Sequence, residues 1–143
     1  MKKIAIFLVI IISIVCSIWY MYFNYKTNIE NIQKENLEFE IYKDKEISGT
    51  ELATIINRAI DTNLKNEVLK DKNGKYINNE KDSINIDIKF IDNDVVYNIE
   101  KIYNGGIQKF VNYYRDIVFK CTNVEYHNST GKIKYIKFKQ IIQ

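Results

Sequence analysis

The sequence has few of the residues from which metal sites and catalytic centres are most often built. It contains one histidine, His127, and two cysteines, Cys16 and Cys121. A zinc site needs three or four such ligands held close together, which this set does not supply. Glycine loops that cradle phosphates and the serine-centred elbow of hydrolases are absent as well. We therefore predict no metal, no cofactor and no catalytic residue, and we expect the protein not to be an enzyme.

An excess of positive charge is also missing. The 21 Lys and Arg residues against 18 Asp and Glu give +3, and Lys2 and Lys3 supply two of those charges. A dedicated nucleic-acid binder carries a marked basic surface, so no nucleic-acid partner is predicted. The chain has no proline, and its 143 residues are 27% charged, as in one ordinary globular domain. Collagen-like, coiled-coil-only and fully disordered classes are thereby excluded.

One long apolar run is present near the N-terminus. Residues 4–23 carry no charge, and twenty helical residues match the hydrocarbon thickness of a bilayer. The run ends in aromatic side chains that favour the membrane interface, namely Trp19, Tyr20, Tyr22, Phe23 and Tyr25. We predict a transmembrane anchor over residues 1–25 that contacts the lipid bilayer through residues 4–23.

The flanking charges predict the orientation of this anchor. Lys2 and Lys3 lie before the span, whereas Lys26 and then Glu30 follow it. The positive-inside rule therefore places the N-terminus in the cytoplasm and the remaining chain outside the cell membrane. A cleaved signal peptide is the competing interpretation, but its apolar region would be shorter and would end in small residues. Cys16 lacks the small preceding residue of a lipoprotein site, and no prepilin processing site precedes Ile4.

Two later segments have helical periodicity. Ser48 and Glu51 have the spacing of a capping box, and apolar residues recur at helical intervals from Leu52 to about residue 64. A second helical face extends from Ile99 to Tyr114. Gly105 and Gly106 interrupt it, and each glycine costs about 1 kcal/mol inside a helix. A break, a kink or a close backbone contact is therefore expected there.

Alternating apolar residues predict the strands. Residues 37–41 and 84–90 alternate clearly, residues 95–97 pair briefly after a turn at 92–94, and residues 68–77 form a hairpin around Asn73-Gly74. After Ile117 the apolar residues occupy every second position, and this alternation shifts by one residue near Thr122, which indicates a bulge. Residues 133–138 form the return strand.

We predict an α+β fold in which the transmembrane helix is followed by a small antiparallel sheet with two packed helices. A stalk at 26–36 precedes the domain at 37–143.

Two sets of residues could carry chemistry in this domain. Cys121 and His127 would form a nucleophile and base if they met. Cys121 alternates in step with the apolar residues Ile117 and Phe119, so a buried thiol in the core is favoured. An intermolecular disulfide is the remaining alternative.

The second set is a stripe of lysines that is predicted to share one strand face and either to contact anionic surfaces or to protect a sheet edge: Lys132, Lys134, Lys137 and Lys139.

Two short sequence patterns give only weak evidence of a calcium site and of a glycosylation site. Asp71-x-Asn73-Gly74 has the first ligands of a calcium loop, but Lys75 follows and no glutamate closes the loop. A hairpin turn is therefore favoured. Asn128, Ser129 and Thr130 match a glycosylation sequon, which means little in an asparagine-rich chain.

Several longer motifs carry a resemblance to a known family. The segments ISGTELATIINRAID, DKNGKYI, IEKIYNGGIQKFV and FKCTNVEYHNSTGKIKYIKF resemble small single-pass membrane proteins of low-GC Gram-positive bacteria. The resemblance spans nearly all of the chain beyond the anchor. It implies a location and an architecture, but no activity and no catalytic residue.

Function is predicted only at the level of class. The leading hypothesis is a non-enzymatic interaction or accessory subunit of a cell-envelope assembly with a protein partner. Pilin-like subunits also join an apolar helix to a sheet, and they form one alternative. A sensory module that binds a ligand beside the Gly105-Gly106 break is the other.

Overall fold

The computed structural model describes residues 2–91 and 95–142 of the chain and confirms the α+β class. The predicted turn at 92–94 lies outside the described residues. The helices and strands follow in the order α1 (Lys2–Glu40), β1 (Glu46–Ser48), α2 (Gly49–Lys65), β2 (Asn85–Lys89), β3 (Val96–Asn98), α3 (Ile99–Tyr114), β4 (Val118–Tyr126) and β5 (Ile133–Ile141).

The chain divides into two units, Met1–Lys34 and Glu35–Gln143. The first unit contains most of α1, which is the one helix within residues 2–91 and 95–142 that is long and apolar enough to cross a membrane. Its side chains over residues 4–23 are exposed. Exposed apolar surface of this length fits a transmembrane or signal anchor.

The second unit begins with the last turns of α1, where a strand was predicted. The prediction of a strand at 37–41 is wrong. Asn36 and Phe39 are buried, whereas Leu37 is 58% exposed, so burial follows the three-residue spacing of a helix face. Of the three alternating apolar residues Leu37, Phe39 and Ile41, only Phe39 is buried. The first strand is instead β1.

The five strands form one sheet in the order β1-β4-β5-β2-β3. All neighbours are antiparallel except β2 and β5, which run parallel. This pair departs from the purely antiparallel sheet that was expected, because alternation identifies the buried face of a strand but not its neighbours. The predicted bulge is confirmed, since the β4–β5 register shifts between Cys121 and Asn123 and again between Glu125 and Tyr126.

Both predicted helices pack on the buried face of the sheet. Helix α2 buries Leu52, Ile55 and Ile56, and the apolar residues of β2 and β5 face the same core. Helix α3 contains the expected break, because Gly106 has φ 98° and ψ 109°. A Cβ added at Gly105 would meet no atom within 4 Å, so no close contact explains that glycine.

The N-terminus of α2 has the predicted capping box. Glu51 N donates to Ser48 Oγ at 3.2 Å, and Ser48 N donates to Glu51 Oε2 at 2.8 Å. These bonds satisfy two backbone donors that a helix start leaves unpaired. The Ser48 backbone bond, followed by its hydroxyl bond, lowers the pKa of Glu51 from its ordinary value.

Replacement of Ser48 by alanine should lower the free energy of unfolding by about 1 kcal/mol at neutral pH. The folded pKa of Glu51 is below the unfolded one, so its contribution is present above the unfolded value, about 4.3, and is lost as the pH falls through the folded pKa. Denaturant unfolding across this acid range should show a shallower pH dependence in the variant. Glu51→Gln is the control, because it keeps an acceptor without a titrating group. Unchanged stability in Ser48→Ala would contradict the assigned cap.

Candidate functional site

The five predicted interface aromatics all lie on α1 within the first unit. They are 57–71% exposed, and the rings of Trp19 and Phe23 stack with centroids 6.0 Å apart. In the same helix, the hydroxyl of Ser13 donates to the Val9 carbonyl at 2.9 Å and that of Ser17 donates to the Ser13 carbonyl at 2.8 Å. Each hydroxyl therefore has an acceptor that needs no water, which a bilayer requires. Membrane contact by these residues stays a prediction.

The last turns of α1 hold the turn between β4 and β5. The Asn36 amide donates to the Gly131 carbonyl at 2.8 Å, and Asn36 Oδ1 accepts from Ile133 N at 2.9 Å. Glu40 Oε1 accepts from the Tyr126 hydroxyl at 2.8 Å. Burial, together with that carboxylate, raises the pKa of Tyr126 to about 12. These long-range contacts make residues 35–40 part of the domain and not part of a free stalk.

The four predicted lysines lie along β5 and at the residue just before it. Lys132 forms an ion pair with Glu35 of α1 at 2.7 Å. Lys134 lies at the second register shift of β5, and only Lys137 and Lys139 lie two residues apart on a regular strand. Ile133, Ile136 and Phe138 of β5 are buried, whereas Lys134 and Lys137 are half-buried and Lys139 is exposed. Contact of these lysines with a partner surface stays a prediction.

A different row of lysines was missed. Lys139 of β5 is paired in register with Lys120 of β4 on one side and with Lys89 of β2 on the other. The three belong to segments separated by long stretches of sequence. Only the strand order brings them together.

Cys121 has the environment of a core residue. It is 1% exposed, and its Sγ lies 3.9 Å from the Asn123 carbonyl oxygen, the acceptor of its weak hydrogen bond. Burial is the main cause that raises the pKa of this thiol. A nucleophilic cysteine needs the opposite shift, and the core interpretation is confirmed.

His127 has a bonding role in the turn between β4 and β5. It is 2% exposed, and its Nε2 lies 2.8 Å from the Ser83 carbonyl oxygen. A carbonyl only accepts, so Nε2 is the donor in this bond, whereas Nδ1 is buried without a hydrogen-bond partner. The hydroxyls of Ser129 and Thr130 donate to the carbonyls of Glu80 and Lys81. Both sequon hydroxyls are therefore occupied in joining two loops.

The Asp71 pattern is a hairpin turn, as favoured. Asp71 Oδ1 accepts from the backbone N–H groups of Asn73 at 2.8 Å and Lys75 at 2.9 Å. Lys70 and Tyr76 pair as an antiparallel bridge, and Gly74 has φ 77°. The carboxylate oxygen is thus used by the turn itself. Within residues 2–91 and 95–142, no group of three or more His, Cys, Asp or Glu side chains could hold a metal ion.

Two buried polar residues were not identified from the sequence. Asn63 is fully buried and bonds both backbone groups of Ile84, donating to its carbonyl and accepting from its N–H, each at 2.7 Å. Glu100 is 5% exposed and accepts from Tyr76 N at 2.7 Å. In a chain with 17 asparagines and 10 glutamates, no local signal separates these two from their exposed neighbours. They hold the loop before β2 and the hairpin in place.

The buried thiol should resist modification while the domain is folded. In a Cys16→Ala variant, a maleimide reagent should react with Cys121 at least about a hundredfold more slowly in native buffer than after unfolding in guanidinium, since reaction requires opening of the core. The rate is measured by mass spectrometry, and the unfolded sample supplies the reference. Rapid labelling of the native protein, or a disulfide-linked dimer on a non-reducing gel, would refute this assignment.

Comparison of the chain with protein-family models, with curated proteins and with solved structures gives no match.

Proposed function

We propose that the protein is a membrane-anchored interaction subunit, in which α1 tethers a non-enzymatic α+β domain outside the cytoplasm as part of a cell-envelope assembly. The observation that carries the proposal is helix α1, whose charge-free, exposed run over residues 4–23 has the length of a membrane span. Lys2 and Lys3 before the span support an N-terminus in the cytoplasm.

The environment of the two most reactive side chains supports a role in binding rather than catalysis. Cys121 is a buried thiol whose pKa is raised, and the Nε2 of His127 is bonded to a backbone carbonyl. An activated cysteine would need a partly exposed, electropositive setting instead. The buried polar side chains of Asn36, Asn63 and His127 bond backbone groups of the domain itself.

Affinity purification tests the proposal directly. A C-terminally tagged copy is expressed in its own host at native level, crosslinked in intact cells, purified from detergent-solubilised membranes and analysed by mass spectrometry. We expect a small set of envelope proteins in stoichiometric amounts. Cys121→Ala should retain these partners, because the thiol is buried.

Two results would contradict this function. Recovery of the protein alone would remove the support for an accessory subunit. Recovery as an extended homo-oligomer would favour the pilin-like alternative. A matched tagged membrane protein with an unrelated domain controls for proteins that are captured by the bilayer and not by the domain.

A further inference from the structure

The hairpin over residues 68–77 is firmly seated on the domain by one of its faces. Val68 and Tyr76 are 8% and 3% exposed. Tyr76 N donates to the buried carboxylate of Glu100 at 2.7 Å, and Val68 N donates to the Asn63 carbonyl at 2.9 Å. These contacts fix which side of the hairpin faces the solvent.

The opposite face of the hairpin presents two large apolar side chains. Leu69 is 75% exposed and Ile77 is 47% exposed. They are neighbours across the hairpin, because Ile77 N donates to the Leu69 carbonyl at 2.9 Å. Single exposed apolar residues are common. Here two of them lie side by side on a hairpin whose opposite face is packed against the domain.

The charged residues within the hairpin are mainly of one sign. Lys70, Lys72 and Lys75 lie within the hairpin, and their only acidic neighbour inside it is Asp71. One oxygen of that carboxylate is occupied by two backbone N–H groups of the turn. Lys70 pairs with Tyr76 across the hairpin, and its Nζ lies 4.5 Å from the centre of the Tyr76 ring.

We propose that this hairpin binds the surface of an anionic lipid bilayer, with Leu69 and Ile77 entering the boundary between headgroups and acyl chains and with Lys72 and Lys75 contacting lipid phosphates. Apolar insertion combined with cationic flanks is the physical basis of interfacial membrane binding. A lipid surface fits better than a protein, because a specific protein interface needs about 800 Å² of each partner and two side chains supply little of that. The presence of a membrane-span helix in the same chain makes such a surface available.

The domain without its anchor allows a clean test. Every buried side chain within the described residues lies between Asn36 and Phe138, so residues 35–143 contain the whole described core. This fragment is purified and sedimented with large vesicles of phosphatidylcholine containing about one third phosphatidylglycerol. We expect binding to these vesicles, weaker binding at high salt and little binding to pure phosphatidylcholine.

Substitutions separate the two contributions. Leu69→Asn with Ile77→Asn should weaken vesicle binding about tenfold, as expected from the loss of two partly inserted apolar side chains. Lys72→Gln and Lys75→Gln should each weaken it about fivefold. Tyr113→Asn is the matched control, because Tyr113 is 78% exposed on α3, away from the hairpin sequence, and its loss should leave binding unchanged. Circular dichroism confirms that each variant is folded.

Three results would overturn this inference. The folded fragment fails to bind anionic vesicles, or the Leu69/Ile77 variant binds as well as the parent, or Tyr113→Asn weakens binding equally. If vesicles are not bound but the Leu69/Ile77 variant loses a crosslinked protein in the affinity purification, the hairpin is a protein-docking site. That outcome would reject the lipid surface while leaving the proposed function intact.

Discussion

Replacement of Gly49 by alanine should destabilise the domain by about 3 kcal/mol or more, because overpacking against an immovable backbone is among the costlier core substitutions. Gly49 is the first residue of α2, and its N–H donates to the Ile117 carbonyl at 2.9 Å. A Cβ built on it would lie 1.9 Å from the Tyr114 carbonyl oxygen and 2.5 Å from the Tyr114 carbonyl carbon. The start of α2 and the end of α3 therefore touch without room for a methyl group.

The measurement is thermal unfolding of residues 35–143, where a loss of this size corresponds to a Tm lower by about 12 °C or more. Gly105→Ala is the matched control. A Cβ at Gly105 meets no atom within 4 Å, so the higher helix propensity of alanine should leave stability unchanged or raise it by up to about 1 kcal/mol. Equal effects of the two substitutions would show that contact between the helices is not what requires glycine at position 49.

Asn63→Asp should be comparably damaging, although it changes only one NH₂ group into an oxygen. Asn63 bonds both backbone groups of Ile84 inside the core. A carboxylate still accepts from Ile84 N, but it can no longer donate, and it places a buried negative charge against the Ile84 carbonyl. Loss of one partner in a buried, charged setting costs about 3–5 kcal/mol. We expect a loss of that size at neutral pH.

The pH dependence of this variant supplies a second signature. Burial should raise the pKa of the new carboxyl above its unfolded value of about 3.9. The destabilisation relative to the parent should therefore shrink as the pH falls through the folded pKa, because the protonated acid can donate to the Ile84 carbonyl. Asn112→Asp, at an exposed position on α3, is the control and should change stability only slightly at any pH. A loss that is independent of pH would argue against the assigned pair of hydrogen bonds.

The elements with a local signal were predictable. The capping box at Ser48, the hairpin at Gly74 and the break at Gly106 each follow from residues close together in the chain, and the structure has all three. The strand at 37–41 failed because a short alternation is also compatible with a helix that buries every third or fourth residue. Parallel pairing of β2 with β5 depends on which strands become neighbours, and strand periodicity carries no such information.

The long-range polar contacts were not predictable for a related reason. Asn36 meets Gly131 and Ile133, and Asn63 meets Ile84, across chain separations of 95, 97 and 21 residues. Which of many asparagines is buried depends on the assembled fold. The same holds for Lys132, whose partner Glu35 was predicted to belong to the stalk at 26–36. In the structure, Glu35 lies on α1, which continues to Glu40. The exposed pair on the hairpin also becomes visible only once Val68 and Tyr76 are seen to face inward.

The most direct test of the central claim is the location of the folded domain in the living cell. In a full-length Cys16→Ala chain, Tyr113→Cys places a reactive thiol at a position that is 78% exposed, while Cys121 stays buried as an internal background control. The account predicts that a membrane-impermeant maleimide labels this variant in intact cells, and that the labelled chain remains in the membrane after alkaline extraction. A cysteine inserted after Met1 should be labelled only after lysis. Labelling of Tyr113→Cys only after lysis, or release of the labelled chain from the membrane, would contradict an anchored domain outside the cytoplasm.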